Sequence, residues 1–421
     1  MLPTTLDGWL SHLEQLHPKT IELGLDRVRA VQESLRLHFS CPVILVGGTN
    51  GKGSTCAMLE AMLLAAGYRV GLYTSPHLIR YNERVRIDGR MVDDAALCAS
   101  FAAVEAARGV QALTYFEFGT LAAAWLFQQA PLDVVILEVG LGGRLDAVNL
   151  FDPTVAIVTT VDLDHQEYLG TTREQIGAEK AGIFRAGKPA ICADPAPPAS
   201  LLAHAQAIGA ALSCLGQAFH VERDAQGWTY RGPGGVRAGL PHPALRGAHQ
   251  LANAAAALAA LDSLRQQLPL SQAQVRAGLL SARPPGRFQV FPGRPQLIVD
   301  VAHNPQAARI LADNLRAQPC SGKTLAVFGM LRDKDIDAVV ASVRDVIDEW
   351  FVAGLAGPRG TSGEELASHL LQTGIPAPTV CLTISEAYAL ACLRAGENDR
   401  ICAFGSFHTV ADILIARGAK E

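Results

Sequence analysis

Residues 41 to 55 read CPVILVGGTNGKGST. An apolar run, Val43 to Val46, meets a glycine-rich turn, and Lys52, Ser54, Thr55 and a helical pattern follow. A strand that passes through such a turn into a helix reads as a phosphate-binding loop. Backbone N–H groups around Gly47, Gly48 and Gly51 would cradle a polyphosphate, Lys52 would add a point charge, and Ser54 a hydroxyl for Mg²⁺. The loop is not the usual G-x-x-x-x-G-K-[ST]. Three residues separate Gly47 from Gly51, and Gly53 stands between Lys52 and Ser54. The competing reading is a strand-to-helix turn with a solvated lysine.

Apolar runs alternate with helical patterns beyond the loop. A helix is expected over 54–66, a strand over 68–73, helices over 93–107 and 119–129, and strands over 133–139 and 154–161. Continuous β-branched runs between helices imply a parallel sheet covered on both faces. The run from Thr171 to Glu174 reads as a capping box opening a helix to about Arg185. Segment 195–245 differs, with a hairpin-like alternation in FHVERDAQGWTYRG, and a strong helix follows in GAHQLANAAAALAALDSL.

SARPPGR at 281–287 is the best linker, and the βα alternation then restarts. Strands are expected over 296–301, 323–329, 351–353 and 401–404, with helices over 306–318 and 336–349. The expected fold is α/β. A P-loop-type parallel-sheet domain with a small β insertion occupies 1–284, and a smaller Rossmann-like α/β domain occupies 285–421.

Bulk properties narrow the partners. Net charge is −4, from 36 basic and 40 acidic residues, without a long like-charge run, so a broad nucleic-acid footprint is not expected. No apolar run approaches membrane-spanning length, and the first residues lack a signal-peptide core. The nine cysteines form no C-x-x-C pair, which reads as reduced core thiols in the cytosol.

Ligands of open parallel sheets gather at the carboxyl ends of strands, so the residues after each apolar run matter most. These are Lys52 and Ser54, then Ser75 and His77, then Glu138 with Asp146, then Asp162, Asp164 and His165. Mg²⁺ takes hard oxygen ligands and keeps several waters, which suits Ser54, Ser75 and Glu138, with His165 able to join. Alternatively Glu138 pairs with an arginine such as Arg144, and His165 caps a turn. By spacing alone Lys180 is a solvated helix lysine. Asp300 and His303 follow a strand in VDVAHNP, either as ligand contacts or as a turn with an N-cap. Arg287 sits at the hinge.

Taken together, the motifs identify a resemblance. The segments KTIELGLDRV, GGTNGKGST, YTSPHLIRYNERVRIDG, LTYFEFGTLAA, LEVGLGGRLDAVN, LDHQEYLG, EKAGIFR, PGRFQ, DVAHNP, GMLRDKD and FGSFHTV occur in order over nearly the whole chain. The chain resembles the folylpolyglutamate synthase/dihydrofolate synthase family, relatives of the ATP-dependent Mur ligases. The resemblance implies a ligase in which ATP phosphorylates a pteroyl carboxylate and the amine of L-glutamate attacks the acyl phosphate. By motif, Lys52, Gly53, Ser54 and Thr55 hold phosphates, and Asn253, Arg287 and Asp300 contact ATP. Ser54, Glu138 and His165 match the ligands of one Mg²⁺ and Ser75 that of a second.

Lys180 matches the lysine that the family carboxylates with CO₂, which reverses its solvated reading. Glu22, Leu23, Gly24 and Leu25, then Thr114, Tyr115, Phe116 and Glu117, then Leu145, Asp146 and Ala147 resemble the pterin pocket. His303 and Ser406 match glutamate-side contacts, with His303 and Lys52 in catalytic roles. Val148 replaces a hydroxyl in LDAVN, and the loop opens GGTNGKGS, not AGTNGKGS.

The resemblance implies a cytoplasmic monomer acting on dihydropteroate, reduced folates and L-glutamate, with no nucleic-acid or membrane partner. A folylpolyglutamate synthase alone is the runner-up. A Mur-type peptide ligase fits less well, because SPHL and TYFE point to folate and no nucleotide-binding domain precedes the loop. A P-loop nucleotide switch has no use for the later strand-end acids and histidines.

Overall fold

The computed structural model describes residues 2–19, 21–224 and 227–419. Contacts divide the chain into two units. One holds residues 2–77, 81–244 and 250–282, and the other holds 78–80, 245–249 and 283–419.

In the larger unit the apolar runs become the strands β1 (Val43–Gly47), β2 (Val70–Tyr73), β3 (Val85–Ile87), β4 (Arg90–Met91), β5 (Val134–Glu138), β6 (Val155–Val158), β7 (Pro189–Cys192) and β8 (Ala211–Cys214). Their order is β4-β3-β2-β5-β1-β6-β7-β8. The pairs from β2 to β8 are parallel, while β3 and β4 add an antiparallel edge. β1, β5 and β6 are buried at every position, which is why they read as continuous and not alternating hydrophobic runs. The helices Lys52–Ala65, Asp94–Arg108 and Tyr115–Gln129 lie where the periodicity placed them, within a few residues.

Two local expectations are corrected and one is extended. The capping box is formed by Thr172 and Gln175, one residue later than expected, and the helix is Arg173–Ala181, four residues short of Arg185. Thr171 and Thr172 both carry the hydroxyl that an N-cap needs, and Gln175 closes the box on the second: its N–H donates to Thr172 Oγ1 at 3.2 Å and its Oε1 accepts the Thr172 N–H at 3.2 Å. The expected hairpin is part of a three-stranded antiparallel sheet of β9 (His220–Arg223), β10 (Trp228–Gly232) and β11 (Gly235–Leu240). Ala225 and Gln226 of that segment lie outside the described residues. The Tyr230 hydroxyl bonds Asp262 at 2.7 Å, tying this sheet to the helix His249–Ser263.

The smaller unit has a second sheet, in the order β12 (Gln289–Phe291), β13 (Gln296–Val299), β17 (Arg400–Phe404), β14 (Thr324–Phe328), β15 (Glu349–Ala353), β16 (Thr379–Cys381). All its pairs are parallel except β12–β13. The second correction falls here. The helix from Ile336 stops at Val343, not Glu349, a 3-10 turn covers Arg344–Val346, and β15 begins at Glu349. Asp348 ends the helical run. Its carboxylate accepts the Thr324 N–H at 2.7 Å and its own N–H donates to the Thr324 carbonyl at 2.8 Å, which seats the chain beside β14. The nine cysteines are free. Among the described residues no helix is long and apolar enough to cross a membrane.

Candidate active site

The glycine loop is clamped onto the end of β6. Thr49 donates its N–H to the Thr160 carbonyl at 2.6 Å, and the Thr159 hydroxyl donates to the Asn50 carbonyl at 2.7 Å. The approach requires glycine. At Gly48, with φ +142°, a Cβ would stand 1.8 Å from Thr159 Oγ1. At Gly51, with φ +92°, it would stand 2.5 Å from Asn253 Oδ1. The expected ATP contact Asn253 is therefore packed on the loop, buried, and held by Gln250, whose Oε1 accepts from its amide at 3.0 Å. Lys52 folds back, and its ammonium donates to the Gly48 and Thr49 carbonyls at 3.0 and 3.1 Å. Gly53 lies in the first turn of the helix, with Ser54 and Thr55 buried behind it.

Glu138 ends β5 in register with Val46 of β1. It is buried and accepts the backbone N–H of Ser75 at 3.2 Å, so two of the expected metal-side residues meet. Arg144 pairs with Glu179 at 2.7 Å, which removes the alternative of a Glu138–Arg144 pair. His165 takes a left-handed backbone, φ +49°, at the start of Gln166–Leu169, and its N–H donates to Asp164 Oδ1 at 2.9 Å. Among the described residues no group of three or more His, Cys, Asp and Glu side chains converges as a closed cage. One buried carboxylate, an imidazole and two hydroxyls fit a hard divalent cation whose shell is completed by phosphate oxygens and water.

Lys180 is buried, not solvated. Its helix lies against the loop after β5: the Arg144 N–H bonds the Glu179 carbonyl at 2.8 Å and the Asn149 amide bonds the Gly182 carbonyl at 3.1 Å. Only a glycine at 143 permits this, since a Cβ there would lie 2.8 Å from the Glu179 carbonyl. Burial drives the Lys180 ammonium down to about 7, and the charge of Lys52 adds to the effect, while Asp164 and Asp146 oppose it.

The residues resembling a pterin pocket come together around one arginine. Arg27 donates to Glu22 at 3.0 Å and to Glu117 at 2.8 Å. Thr114 and Glu117 form a capping box at the head of Tyr115–Gln129. The Phe116 ring packs over Gly140, where a Cβ would come within 2.6 Å. Asp146 accepts N–H bonds from Leu141 at 2.8 Å and Val148 at 3.1 Å, which hold the loop around Leu145 and Ala147. Burial nevertheless raises its carboxyl to about 7. Leu23, Gly24 and Leu25 lead into the helix Asp26–Leu35, which carries Arg27. Sequence reasoning passed over Arg27, Thr159 and Arg84. Arg27 left a signal, an arginine within a helical turn or so of Glu22.

In the smaller unit, four expected residues gather at the carboxyl ends of β13 and β17. Asp300 accepts the Phe288 N–H at 2.7 Å and the Ala302 N–H at 2.8 Å. Burial raises its carboxyl, and the charge of Arg287 opposes this. The Arg287 guanidinium lies 5.0 Å from the Phe407 ring centre. His303 contacts the same ring, and its Nδ1 is 2.8 Å from the Val301 carbonyl. The helix cap is Asn304 and not the histidine, and Ser406 caps Phe407–Ala416.

Comparison with known proteins agrees with this geometry. Residues 46–261 match the Mur ligase middle domain, and residues 286–407 match the Mur ligase glutamate ligase domain. The chain is 48% identical over 417 residues to the dihydrofolate synthase/folylpolyglutamate synthase of Escherichia coli K12, covering 99% of this chain and 96% of that one. Its fold superposes on E. coli FolC in complex with DHPP and ADP, with a TM-score of 0.94, 46% identity and complete coverage of both chains. It superposes equally fully on a bifunctional folylpolyglutamate synthase/dihydrofolate synthase with Mn, AMPPNP and L-glutamate bound, with a TM-score of 0.93 and 48% identity. Matches to both Mur ligase domains and 48% identity over nearly the full length of such a relative place this chain in the dihydrofolate synthase/folylpolyglutamate synthase family of Mur-type ligases.

Proposed function

We propose that the protein is an ATP-dependent ligase that adds L-glutamate to dihydropteroate and to reduced folates. The observation that carries this reading is the shared sheet edge of the glycine loop with Lys52, the Glu138–Ser75 contact and the buried Lys180. A carboxylate is a poor acyl donor. Transfer of the γ-phosphoryl group to one of its oxygens releases ADP and leaves an acyl phosphate. The amine of glutamate then attacks the acyl carbon, loses a proton, and phosphate departs.

Lys52 and the loop N–H groups stabilise the charge that develops on the phosphates. The Thr55 hydroxyl is buried without a protein partner, an orphan that a bound phosphate oxygen would satisfy. Asn253 fixes the loop against which the nucleotide packs, and Arg287 and Asp300 are the other residues assigned to nucleotide binding. Ser54, Glu138 and His165 would hold one divalent cation and Ser75 a second, and when bound they neutralise phosphate charge. His303 and Ser406 serve the incoming glutamate. The 22–25, 114–117 and 145–147 segments shape the pterin side. The domain boundary that matches these roles is 284/285, with a cytoplasmic monomer as the working form.

Lys180 is suited to carboxylation. An amine must be neutral to attack CO₂. With its ammonium brought down to about 7, an appreciable fraction is neutral near pH 7, against about one in three thousand for an ordinary lysine. Attack and loss of one proton leave a carbamate, which replaces a buried cation by an anion facing the metal side.

Dihydropteroate and tetrahydrofolate, assayed in parallel, test the reading. ADP release should require L-glutamate and one of the acids, with one glutamate added per turnover. ATP turnover indifferent to both would sink it.

A further inference from the structure

Arg84 ends the short turn Tyr81–Arg84, and its carbonyl accepts the Thr74 N–H at 2.9 Å, fixing it beside the end of β2. Its guanidinium lies beside a T-shaped pair of rings, 5.2 Å from the centre of Tyr81 and 5.5 Å from that of Tyr115, the two rings being 5.9 Å apart. Nε donates to His77 Nδ1 at 2.8 Å, and the fork also reaches the Tyr73 hydroxyl. The residue is 9% exposed. Among the described residues no carboxylate pairs with it. Tyr81 is 3% exposed, and its hydroxyl, packed against the helix at Gly119, has no hydrogen-bond partner.

A buried cation costs several kcal/mol unless an anion meets it, and a cation–π contact returns about 0.5–2 kcal/mol. Two of roughly five guanidinium donors are used, which leaves the rest for a ligand. The surroundings say where that ligand belongs. His77 stands two residues after Ser75, whose N–H is bound to Glu138, and Tyr115 opens the helix that carries Phe116 and Glu117. The cation therefore lies between the metal-side loop and the aromatic wall. The neutral His77 and Tyr73 partners cannot balance its charge.

We propose that Arg84 binds a carboxylate of the acid substrate. This rests on the ligase reading above. The carboxylate is either the benzoate that is to be activated or the α-carboxylate of a glutamate already attached. Both offer two coplanar oxygens to the guanidinium fork.

The test compares pteroic acid with its carboxamide, which has the same rings and no charge, binding to the full chain by fluorescence. The wild type should prefer the acid by about 30-fold, the range of a charged hydrogen-bonded contact. Arg84→Gln should lose that preference by weakening the acid alone, while AMPPNP affinity and the melting midpoint stay near wild type. Arg84→Lys should keep part of the preference, and it carries the test if Arg84→Gln does not fold. Equal weakening of acid and carboxamide, or an undiminished preference, overturns the benzoate as the ligand, and the proposal then stands or falls on the α-carboxylate in the comparison of KM values below. A wild type that binds neither pteroate nor a reduced folate overturns the ligase reading instead.

Steady-state KM values then separate the two sources. A rise for dihydropteroate assigns the benzoate, and a rise confined to the monoglutamate assigns the α-carboxylate. No rise for either refutes the assignment.

Discussion

Replacing Lys180 by methionine should produce a protein that is more stable and inactive. The ordinary value of the lysine, 10.5, holds in the unfolded chain and about 7 in the folded one. Below pH 7 both states are charged, and the folded chain carries the whole desolvation penalty. Between pH 7 and 10.5 the unfolded chain binds more protons, so stability rises with pH. Above 10.5 both states are neutral and the penalty vanishes. At about 1.4 kcal/mol per pH unit, the penalty is at most about 5 kcal/mol. Lys180→Met fills nearly the same volume without charge. Urea unfolding in CO₂-depleted buffer should show it more stable than wild type by several kcal/mol at about pH 6 and by only about 1–2 kcal/mol at about pH 9.5. Added bicarbonate should stabilise the wild type alone, and the variant's ligase activity should fall to background. A difference that does not change with pH, or a less stable variant at pH 6, refutes the argument that an uncompensated ammonium is buried there.

The remaining predictions concern the loop and the metal side. Gly48→Ala would drive Thr159 from its bonds to Gly47 and Asn50, at a cost of about 2–4 kcal/mol, and calorimetry should show AMPPNP affinity reduced by at least about 100-fold. Gly187→Ala, in open space at φ +68°, should cost only about 1–2 kcal/mol in the same unfolding assay and leave the affinity alone. Glu138→Gln keeps the shape and removes the charge, so about ten times more Mg²⁺ should be needed for half-maximal ADP release; an unaltered Mg²⁺ titration would take Glu138 out of the metal shell.

Much of the fold was legible because buried strands write themselves plainly. β1, β5 and β6 are apolar at almost every position, and only a covered parallel sheet uses such runs. The edges were not legible. The strands β3, β4 and β12 are short and partly exposed, so no periodicity marks them. The end of the helix at Val343 escaped because the apolar run continues through Val346 and Ile347, and it is a bond from Asp348 to Thr324 that starts the strand. Lys180 is instructive in the same way. Ile176 and Lys180 stand four apart and share the buried face of their helix, a spacing that was visible but that a lone lysine normally answers by facing water.

By itself the sequence determined the order of strands and helices, the glycine loop with its lysine and hydroxyls, and the family motifs, because these depend on local backbone freedom and side-chain chemistry. Tertiary structure decided the states of the charged groups. It buried Lys180 against a loop that only glycine lets approach, placed Glu138 on the Ser75 N–H instead of on Arg144, and left Arg84 beside two tyrosines without a carboxylate. A charge takes its meaning from what removes its water and what opposes it, and those neighbours come from segments far apart in the chain.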